Sequence, residues 1–401
     1  MLVQQATHRL LEYCRAEGWK GYDPYDALNS PLGRLLPRKG RIVLTQLVKR
    51  SPVNLRPCLG IKKGLNSKGI ALAARAILLL KAGAKVAVGD RSGSPGEVMF
   101  EQAELNRDFK LLMTTLLSLK ARNYEEACWG YNFPWQSRSL YAPAGMPNVV
   151  CTVFAANTYL DWYDDTQDDR VLEVAISSSR FLVDKIYRTV QGDSFCFSYT
   201  PGDQTCVHNV NLLAAELLGR VYAVTGSEEF REAAVSAAKF SLARQREDGS
   251  WTYGEALNQQ WIDNFHTAFI LVSLKRMITS LDEAAWGDNL QAGYRFYVDR
   301  FFLADGRPKY YHNKLFPLDA HSAAAAIVAF SELADSVSGS LEMADKVIRW
   351  ALANLQDPAG FFYYRRGRFR TNKTPYMRWA QAWMLYAMAC YMSAVRVKQN
   401  G

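Results

Sequence analysis

Four of the five histidines in this 401-residue chain stand close to one recurring point of the sequence. His208, His266 and His321 are 58 and 55 residues apart, and each begins or closely precedes a run of apolar residues. Asp263 and Asp319 stand three and two residues before His266 and His321. Because imidazole titrates near neutral pH and a neighbouring carboxylate can orient it, these pairs are candidates for general acid–base catalysis.

The predicted catalytic residues share this location at the start of an apolar run or in the segment before it. They are His208, Tyr253, Asp263, His266, Tyr311, Asp319 and His321. We expect His266 and His321 to act as acid or base, with the two tyrosines as partners and the two aspartates either orienting them or serving as the carboxylates of a hydrolase. A single histidine at a helix start is commonly structural, but four at equivalent points of a repeat, with His312 as the fourth, favour a shared pocket.

Aromatic and polar side chains near the same points are candidates for binding a substrate. They are Tyr25, Asp26, Trp129, Tyr131, Trp135, Arg138, Asn148, Asn209, Asn211, Trp251, Asn264, His312, Tyr364, Arg365, Tyr376 and Arg378. Positions 148, 208, 266, 321 and 378 are separated by 60, 58, 55 and 57 residues, which predicts that they come to one level of a repeated structure. The helix starts there would also present unpaired N–H groups to a ligand. Taken singly, an aromatic such as Trp129 is typical of core packing.

The sequence predicts neither a cofactor nor a metal site. The histidines come from different repeats and form no His-x-x-x-His or His-x-His pair, the local spacings that favour zinc binding. The seven cysteines are scattered without a Cys-x-x-Cys pair. We therefore expect reduced thiols, as in a cytoplasmic protein. The acidic run 164–169, DDTQDD, matches a magnesium motif of the DDxxD type, but its position at a helix start predicts capping.

Two kinds of helix alternate along the chain with a period of about 55 to 60 residues. Six predicted helices are apolar on nearly every face: 68–81, 149–163, 210–224, 265–274, 322–333 and 379–395. Six others are amphipathic and charged: 3–15, 100–119, 170–187, 228–246, 282–302 and 341–355. A helix that is apolar all round must be buried on all sides. The alternation therefore predicts an inner ring of helices inside an outer ring.

A short aromatic segment, often introduced by glycine, follows each amphipathic helix. The six segments are 18–26, 128–135, 194–200, 249–256, 306–313 and 360–368. Alternating aromatic residues are typical of short extended or turn segments. We therefore predict an all-α fold, an (α/α)6 toroid or six-hairpin barrel, in which residues 1–401 form one domain. Its one functional pocket would collect the loops that precede the inner helices.

The stretch 27–64 departs from the repeat, since it inserts basic and proline residues before the first apolar helix. Three roles stay open for it: a lid, an oligomer contact, or a docking site for a partner. The net charge of +9 is spread thinly apart from this stretch and a dense run from Arg365 to Lys373. A solvated face explains such runs first and an anionic small molecule or glycan second. No nucleic acid partner is predicted, because no nucleic-acid-binding motif accompanies the charge.

No membrane span and no secretory signal are predicted. The most apolar stretch, 70–80, is too short to cross a bilayer and contains Arg75. The first residues form an amphipathic helix with charges throughout and lack the apolar core of a signal peptide. Together with the cysteine pattern, these features lead us to expect a cytoplasmic protein.

Two stretches carry a resemblance to a known superfamily. RWAQAWMLYAMA at 378–389 is similar to the start of the last inner helix in several six-hairpin glycosidase-like families, and YAVTGSEEFREAA at 222–234 resembles their inner–outer hairpin. The group includes unsaturated glucuronyl hydrolases, sugar epimerases, α/α-toroid polysaccharide lyases and glucuronyl C5-epimerases. The resemblance covers nearly the whole chain and implies a fold, but it does not choose a reaction.

Sugars fit the predicted pocket better than isoprenoids, because aromatic faces alternate with Asn, His, Asp and Arg. A squalene-type cyclase would need a DxDD motif, which the sequence lacks, and a lanthipeptide cyclase would need a Cys, Cys and His zinc set, of which Cys206 near His208 is the only hint. A terpenoid-cyclase-like toroid and a non-catalytic glycan-binding protein of polysaccharide assembly stay as alternatives.

The reaction type stays open between hydrolysis and proton abstraction. Hydrolysis requires two carboxylates across the scissile bond. The carboxylates at the pocket level are Asp23, Asp26, Glu255, Asp263 and Asp319. A lyase or epimerase acting on a uronate instead requires a base near C5 and groups that neutralise the carboxylate. The richness in His, Tyr, Asn and Arg favours a saccharide substrate that contains uronate.

Overall fold

The structure is a computed structural model that describes residues 1–89, 100–136 and 141–400. Arg138 lies outside the described residues. In the described part the helices are α1 (Leu2–Ala16), α2 (Pro31–Leu35), α3 (Arg38–Arg50), α4 (Ser67–Gly89), α5 (Gln102–Ser118), α6 (Val149–Thr166), α7 (Asp169–Lys185), α8 (His208–Thr225), α9 (Glu228–Leu242), α10 (Asn264–Leu281), α11 (Gly287–Phe301), α12 (Ala320–Glu332), α13 (Ser340–Leu355) and α14 (Ala382–Asn400).

Two concentric rings of six helices confirm the predicted fold class. The inner ring is formed by α4, α6, α8, α10, α12 and α14, and the outer ring by α1, α5, α7, α9, α11 and α13. The ring closes where α14 packs against α4 and α1 packs against α14. Inner helix α12 is buried from Ala320 to Ser331, as expected for a helix that is apolar on every side. A single turn of π-helix, Met377–Gln381, leads into α14.

Polar residues at the predicted helix starts act as N-caps. The side chains of Asn148, Asp263 and Asp319 accept hydrogen bonds from the backbone N–H groups of Cys151, His266 and His321. These bonds pair N–H groups that a helix start would otherwise leave without a partner. Asp168 in the acidic run caps α7 in the same way, which agrees with the capping role predicted for that run.

A repeated hydrogen bond joins each hairpin to the next. The first N–H of four inner helices donates to a tyrosine carbonyl in the following aromatic segment: Val149 to Tyr199, His208 to Tyr253, Asn264 to Tyr310, and Ala320 to Tyr364, at 2.9–3.1 Å. The sequence predicts that these N–H groups are open to a ligand, but neighbouring hairpins use the first of them. The same bonds hold the four tyrosines at the level of the helix starts.

Close packing requires the glycine at the start of several aromatic segments. Gly249 and Gly360 have φ angles of +86° and +97°, in the region that side chains disfavour. A Cβ atom on either glycine would lie 2.4 Å from a carbonyl oxygen of a neighbouring outer helix, on Ala292 or Arg9. At these two segments the glycine-plus-aromatic pattern therefore marks the place where the chain turns against an outer helix.

Short strands form in and beside the aromatic segments. They are β1 (Trp135–Gln136), β2 (Tyr141–Ala142), β3 (Arg188–Gln191), β4 (Ser194–Phe197), β5 (Leu318–Asp319), β6 (Arg365–Arg366) and β7 (Thr371–Asn372). All the pairs are antiparallel: β1 with β2, β3 with β4, and β5 with β6 and then β7. Strand β5 leads directly into α12, so β6 and β7 lie at the end of the ring where inner helices begin.

The insertion 27–64 is folded onto the same end of the ring. Helices α2 and α3 belong to it, and buried Arg56 anchors it. The Arg56 guanidinium donates to an Asp26 carboxylate oxygen at 2.6 Å, to the Asp23 carbonyl at 2.6 Å and to the Tyr376 hydroxyl at 2.7 Å. In the described ranges no helix is both long enough and apolar enough to cross a membrane.

Candidate active site

A hydrogen-bonded aspartate and histidine lie at the start of α10. The Nδ1 atom of His266 is 2.7 Å from Oδ2 of Asp263, and the other Asp263 oxygen caps the helix. The Asp263 side chain is buried, whereas 21% of the His266 side chain is exposed. Because the carboxylate accepts from Nδ1, the proton of a neutral imidazole lies there and Nε2 is free to accept one. This geometry suits a base that is oriented by a buried carboxylate.

Aromatic rings form one wall beside His266. Trp261 and Tyr253 stack with centroids 4.5 Å apart and planes at 13°, and Tyr253 lies 4.6 Å from the His266 ring. The indole Nε1 of Trp261 also donates to Asp263 at 2.9 Å, so a hydrogen bond joins the stacked rings to the Asp263–His266 pair. Trp261, which is partly exposed, is absent from the sequence prediction. The signal in the sequence that could have identified Trp261 is its position two residues before Asp263.

Cationic side chains and tyrosines lie at the same end of the ring as the Asp263–His266 pair. The Lys49 amine, from α3, hydrogen-bonds the Tyr25 hydroxyl and lies 4.0 Å from the Tyr25 ring centroid. Tyr25 contacts Trp379, which in turn lies 5.5 Å from Phe265, the neighbour of His266. Burial raises the pKa of Tyr311, and Asp263 and Tyr25 reinforce this shift by their proximity. Lys49 was missed in the sequence because the insertion matches no other repeat.

The second predicted pair, Asp319 and His321, is buried. Asp319 accepts from the Trp379 indole at 2.9 Å and from Arg365 at 3.3 Å, and burial raises its pKa. Nδ1 of His321 donates to the Trp379 carbonyl at 3.0 Å, because a carbonyl can only accept. His321 therefore carries its proton on Nδ1, and burial holds its pKa well below the usual range. Its Nε2 has no hydrogen-bond partner among the described residues.

Arg378 lies at the same level but is already paired. Its guanidinium makes two hydrogen bonds with Asp23, at 2.6 and 2.8 Å, and its side chain is buried. Tyr131 lies beside it, with its hydroxyl 3.0 Å from that of Tyr199, and Trp135 packs against Tyr199. Arg378 thus joins the last inner helix to the first aromatic segment. Its partner leaves it less able to hold a substrate charge than the sequence predicts.

Several predicted binding residues are buried, and many of their polar atoms are bonded inside the protein. The exceptions include Oδ1 of Asn209 and Nδ2 of Asn264, which have no partner among the described residues. Trp129 and Trp251 donate to carbonyls of outer helices, Asn148 caps α6, Asn211 and Asn264 bond buried partners, and Asp26 and Tyr376 bond Arg56. Asn209 is also buried, while half-buried His312 bonds the Ile262 carbonyl. These contacts help to hold the fold together, and the binding role of these residues stays a prediction. Tyr364 is buried beside Arg365, whose side chain stays 21% exposed.

His208 belongs to an ion network at the rim. It is buried, and its Nε2 lies 2.9 Å from Glu255, which also accepts from Arg244 at 2.8 Å. The hydrogen bond from His208 is the main reason that the pKa of Glu255 falls to about 2. The predicted pocket carboxylates are thus each engaged: Asp23 with Arg378, Asp26 with Arg56, Asp263 with His266, Asp319 with Arg365, and Glu255 with His208.

The thiol of Cys206 lies beside that of Cys196, and a hydrogen bond from Cys196 lowers the pKa of Cys206 to about 6. We expect the rate at which iodoacetamide alkylates Cys206 in the native protein to rise with a midpoint near pH 6. The alkylation rate of a free cysteine would rise with a midpoint near pH ~8.5. Peptide mass spectrometry after brief labelling across this pH range measures the midpoint, and a value close to that of free cysteine would contradict the prediction.

Aromatic side chains fill the centre of the ring below the Asp263–His266 pair. Rings of Phe154, Phe269 and Trp383, from three inner helices, meet with centroids 5.1–6.2 Å apart. The amine of Lys68 lies 4.1 Å from the Phe154 ring centroid and 5.1 Å from each of the other two. Lys68 has no carboxylate partner among its described contacts, and burial holds its pKa well below the usual range. The sequence places Lys68 at a helix start but does not predict this setting.

Replacing Lys68 by methionine should stabilise the protein at pH 7. A lysine whose pKa is depressed in the folded state opposes folding at any pH below its unfolded value, because the unfolded chain binds the proton more tightly. Lys68→Met removes that cost, so we expect a gain on the order of 1 kcal/mol in the free energy of unfolding. The gain should shrink as the pH approaches ~10. Urea unfolding at several pH values measures it, and a pH-independent loss of stability would contradict the prediction.

A layer of ion pairs crosses the axis further along the inner helices. Arg75 donates to Asp161 at 2.5 Å, Arg220 to Asp161 at 2.9 Å, and Arg276 to Glu216 and Glu332 at 2.6 Å each. Beyond this layer, where the inner helices end, lies a cavity of about 960 Å³. The sequence predicts a single pocket at the other end of the ring. Among the described residues that line the cavity, Tyr386 is the one aromatic and none is a histidine.

No three His, Cys, Asp or Glu side chains within the described ranges are grouped as metal ligands would be. Likewise, the seven cysteines are all described and unpaired.

Solved structures with the same fold are carbohydrate-active proteins. A structure of UGL with the saccharide dGlcA-Glc-Rha-Glc has a TM-score of 0.63 at 12% identity and covers 100% of this chain and 97% of its own. The α-mannanase of glycoside hydrolase family 76 from Bacteroides thetaiotaomicron has a TM-score of 0.60 at 11% identity, covering 84% and 87%. Cellobiose 2-epimerase from Bacillus thermoamylovorans has a TM-score of 0.59 at 11% identity, and the match covers 81% of this chain and 87% of the epimerase chain.

The chain therefore shares the six-hairpin toroid fold of these structures, as the predicted resemblance implies. At 11–12% identity this likeness defines the fold and no particular family. No protein-family model matches the sequence, and no curated protein matches it.

Proposed function

We propose that this protein is a carbohydrate-active enzyme that acts on an acidic, uronate-containing oligo- or polysaccharide by proton abstraction. The observation that carries the proposal is the Asp263–His266 pair, with a 2.7 Å hydrogen bond, a buried carboxylate and a partly exposed imidazole. The stacked pair of Tyr253 and Trp261 beside it offers flat faces for the apolar side of a sugar ring.

In the proposed step, Nε2 of His266 takes the proton from C5 of the uronate. The electron pair of the C–H bond moves into the carboxylate, which becomes an enediolate. Lys49 and Arg365 are the cations that would hold the carboxylate and stabilise the added charge, since both side chains are partly exposed near Tyr25 and Tyr311. The enediolate then follows one of two routes. Either the C4–O4 bond breaks, so that O4 leaves with its attached sugar, takes up a proton from His266 or water, and a C4–C5 double bond forms; or C5 receives a proton from water on the opposite face, which inverts C5.

Hydrolysis is the less favoured reaction because of the state of the carboxylates. It requires an acid and a second carboxylate that both reach the glycosidic bond. Asp23, Asp26, Asp263 and Asp319 are buried and bound to arginine, histidine or tryptophan side chains. The more exposed Glu255 is held by His208 and Arg244.

The test is an exchange experiment in heavy water. The protein is incubated with uronate-containing oligosaccharides and with matched neutral ones, and products are followed by NMR and mass spectrometry. Deuterium at C5 of recovered sugar, or a new C4–C5 double bond, supports the proposal. Hydrolysis of the neutral oligosaccharides without exchange would contradict it. Binding of either set without any chemistry would instead indicate a glycan-binding protein.

A further inference from the structure

Exposed apolar side chains and exposed Lys and Arg side chains occur together at the end of the ring where the inner helices begin. Leu35, Val43 and Leu47 of the insertion are 84%, 56% and 61% exposed, and Phe369 is 86% exposed. Single exposed apolar residues are ordinary, but a cluster of them marks an interaction surface.

Helix α3 of the insertion has a regular outward stripe. Lys39, Val43, Leu47 and Arg50 are all exposed and are spaced by four, four and three residues, so they follow one face of the helix. Thr45 and Val48, on the other face, are buried. Two aliphatic side chains thus lie between two cations on the exposed face of the helix.

The hairpin formed by β6 and β7 continues this surface. Its turn carries Arg368, Phe369 and Arg370, all exposed. The hairpin is joined to the end of α3, because the Asn372 side chain donates to the Ser51 carbonyl at 2.7 Å. We call the α3 stripe and this turn together the basic–apolar face.

Positive charge is concentrated in the two segments that form this face. The stretches 27–64 and 358–378 together contain fifteen Lys and Arg residues and no Asp or Glu, whereas the whole chain is only +9. The remainder of the chain is therefore net negative. Four of the fifteen cations, Arg56, Lys63, Arg365 and Arg378, pair with carboxylates of that remainder. A glycan surface would need the cations but would gain little from exposed Leu and Val.

We propose that the basic–apolar face docks on an anionic lipid bilayer, with Leu47 and Phe369 inserted at the headgroup boundary. Interfacial segments combine apolar side chains with Lys and Arg that attract anionic lipid. Lys49 and Arg365 belong to these segments and also reach Tyr25 and Asp319, so docking would turn the candidate active site toward the membrane. The inference does not depend on the reaction proposed above.

Co-sedimentation with lipid vesicles tests the docking. The wild-type chain is mixed with vesicles of phosphatidylcholine alone or of phosphatidylcholine with phosphatidylglycerol, and the bound fraction is measured. We expect binding to the anionic vesicles and little to the neutral ones. Leu47→Gln and Phe369→Ser should each weaken it on the order of tenfold. Leu111→Gln is the matched control, since Leu111 is 54% exposed on outer helix α5, and it should bind as the wild type does.

Four results would overturn the docking. The first is no binding to anionic vesicles, and the second is binding unchanged in both variants, which would mean charge attraction without insertion. The third is a soluble polyuronate that binds with the same dependence on Leu47 and Phe369, which would make the face a glycan surface. The fourth is a dimer, seen by analytical ultracentrifugation, that Leu47→Gln dissociates. Turnover of soluble oligosaccharide should be unchanged in these variants, so failure of docking is separable from failure of the proposed reaction.

Discussion

Replacing His266 by alanine is expected to lower turnover of a uronate-containing oligosaccharide by about 10²- to 10⁴-fold, the contribution typical of a positioned base. Binding should change little, because the stacked Tyr253 and Trp261 stay in place. Asp263→Asn should cause a smaller loss, since the base would remain without the carboxylate that orients it. Turnover by NMR and affinity by calorimetry separate the two effects.

His8→Ala is the matched control for this experiment. His8 is a half-buried histidine on outer helix α1 that contacts the Phe100 ring, and none of its described contacts is with a residue of the candidate site. It should leave turnover unchanged. If His266→Ala keeps more than about a tenth of the wild-type turnover, a positioned base is not what limits the reaction, and the assignment of His266 fails.

Replacing Arg378 by methionine is expected to cost about 3 to 5 kcal/mol in the free energy of unfolding. The change leaves the buried Asp23 carboxylate without the two hydrogen bonds that now compensate it. It also removes a contact between residues 355 positions apart that joins the last inner helix to the first aromatic segment. Urea unfolding followed by circular dichroism measures the loss.

Arg349→Met is the control for stability. The Arg349 side chain is 65% exposed and pairs with Asp345 within one helix. Exposed pairs of this kind contribute about 1 kcal/mol or less. The double variant Asp23→Asn with Arg378→Met should recover part of the loss, because no buried charge would remain unpaired. Equal effects of Arg378→Met and Arg349→Met would mean that the buried pair does not hold the ring closed.

The candidate site could be predicted only in part. The pairing of Asp263 with His266 follows from local spacing, because an N-cap three residues before a histidine places both side chains on one turn of helix. The same spacing argument does not distinguish His266 from His321. His321 is buried because Phe265, Trp379 and Trp383 from other segments pack around its ring. That difference depends on which hairpins meet at the axis.

Partners distant in sequence account for the remaining differences. Arg378 was expected to bind substrate, but Asp23 at the other end of the chain already occupies it. The sequence pattern predicts inner helices that are nearly free of charge. In the structure, however, Arg75, Glu216 and Arg276 of these helices take part in a layer of ion pairs across the ring. Neither contact leaves a signal in the spacing of neighbouring residues.

The sequence by itself determined the alternation of buried and amphipathic helices, the six aromatic segments and hence the six-hairpin ring. These features are local, since periodicity, caps and glycine turns each act over a few residues. Only the tertiary structure decided which polar groups face solvent and which are bound. The reason is that burial and pairing arise where hairpins some 55 to 60 residues apart, and the two ends of the chain, come into contact.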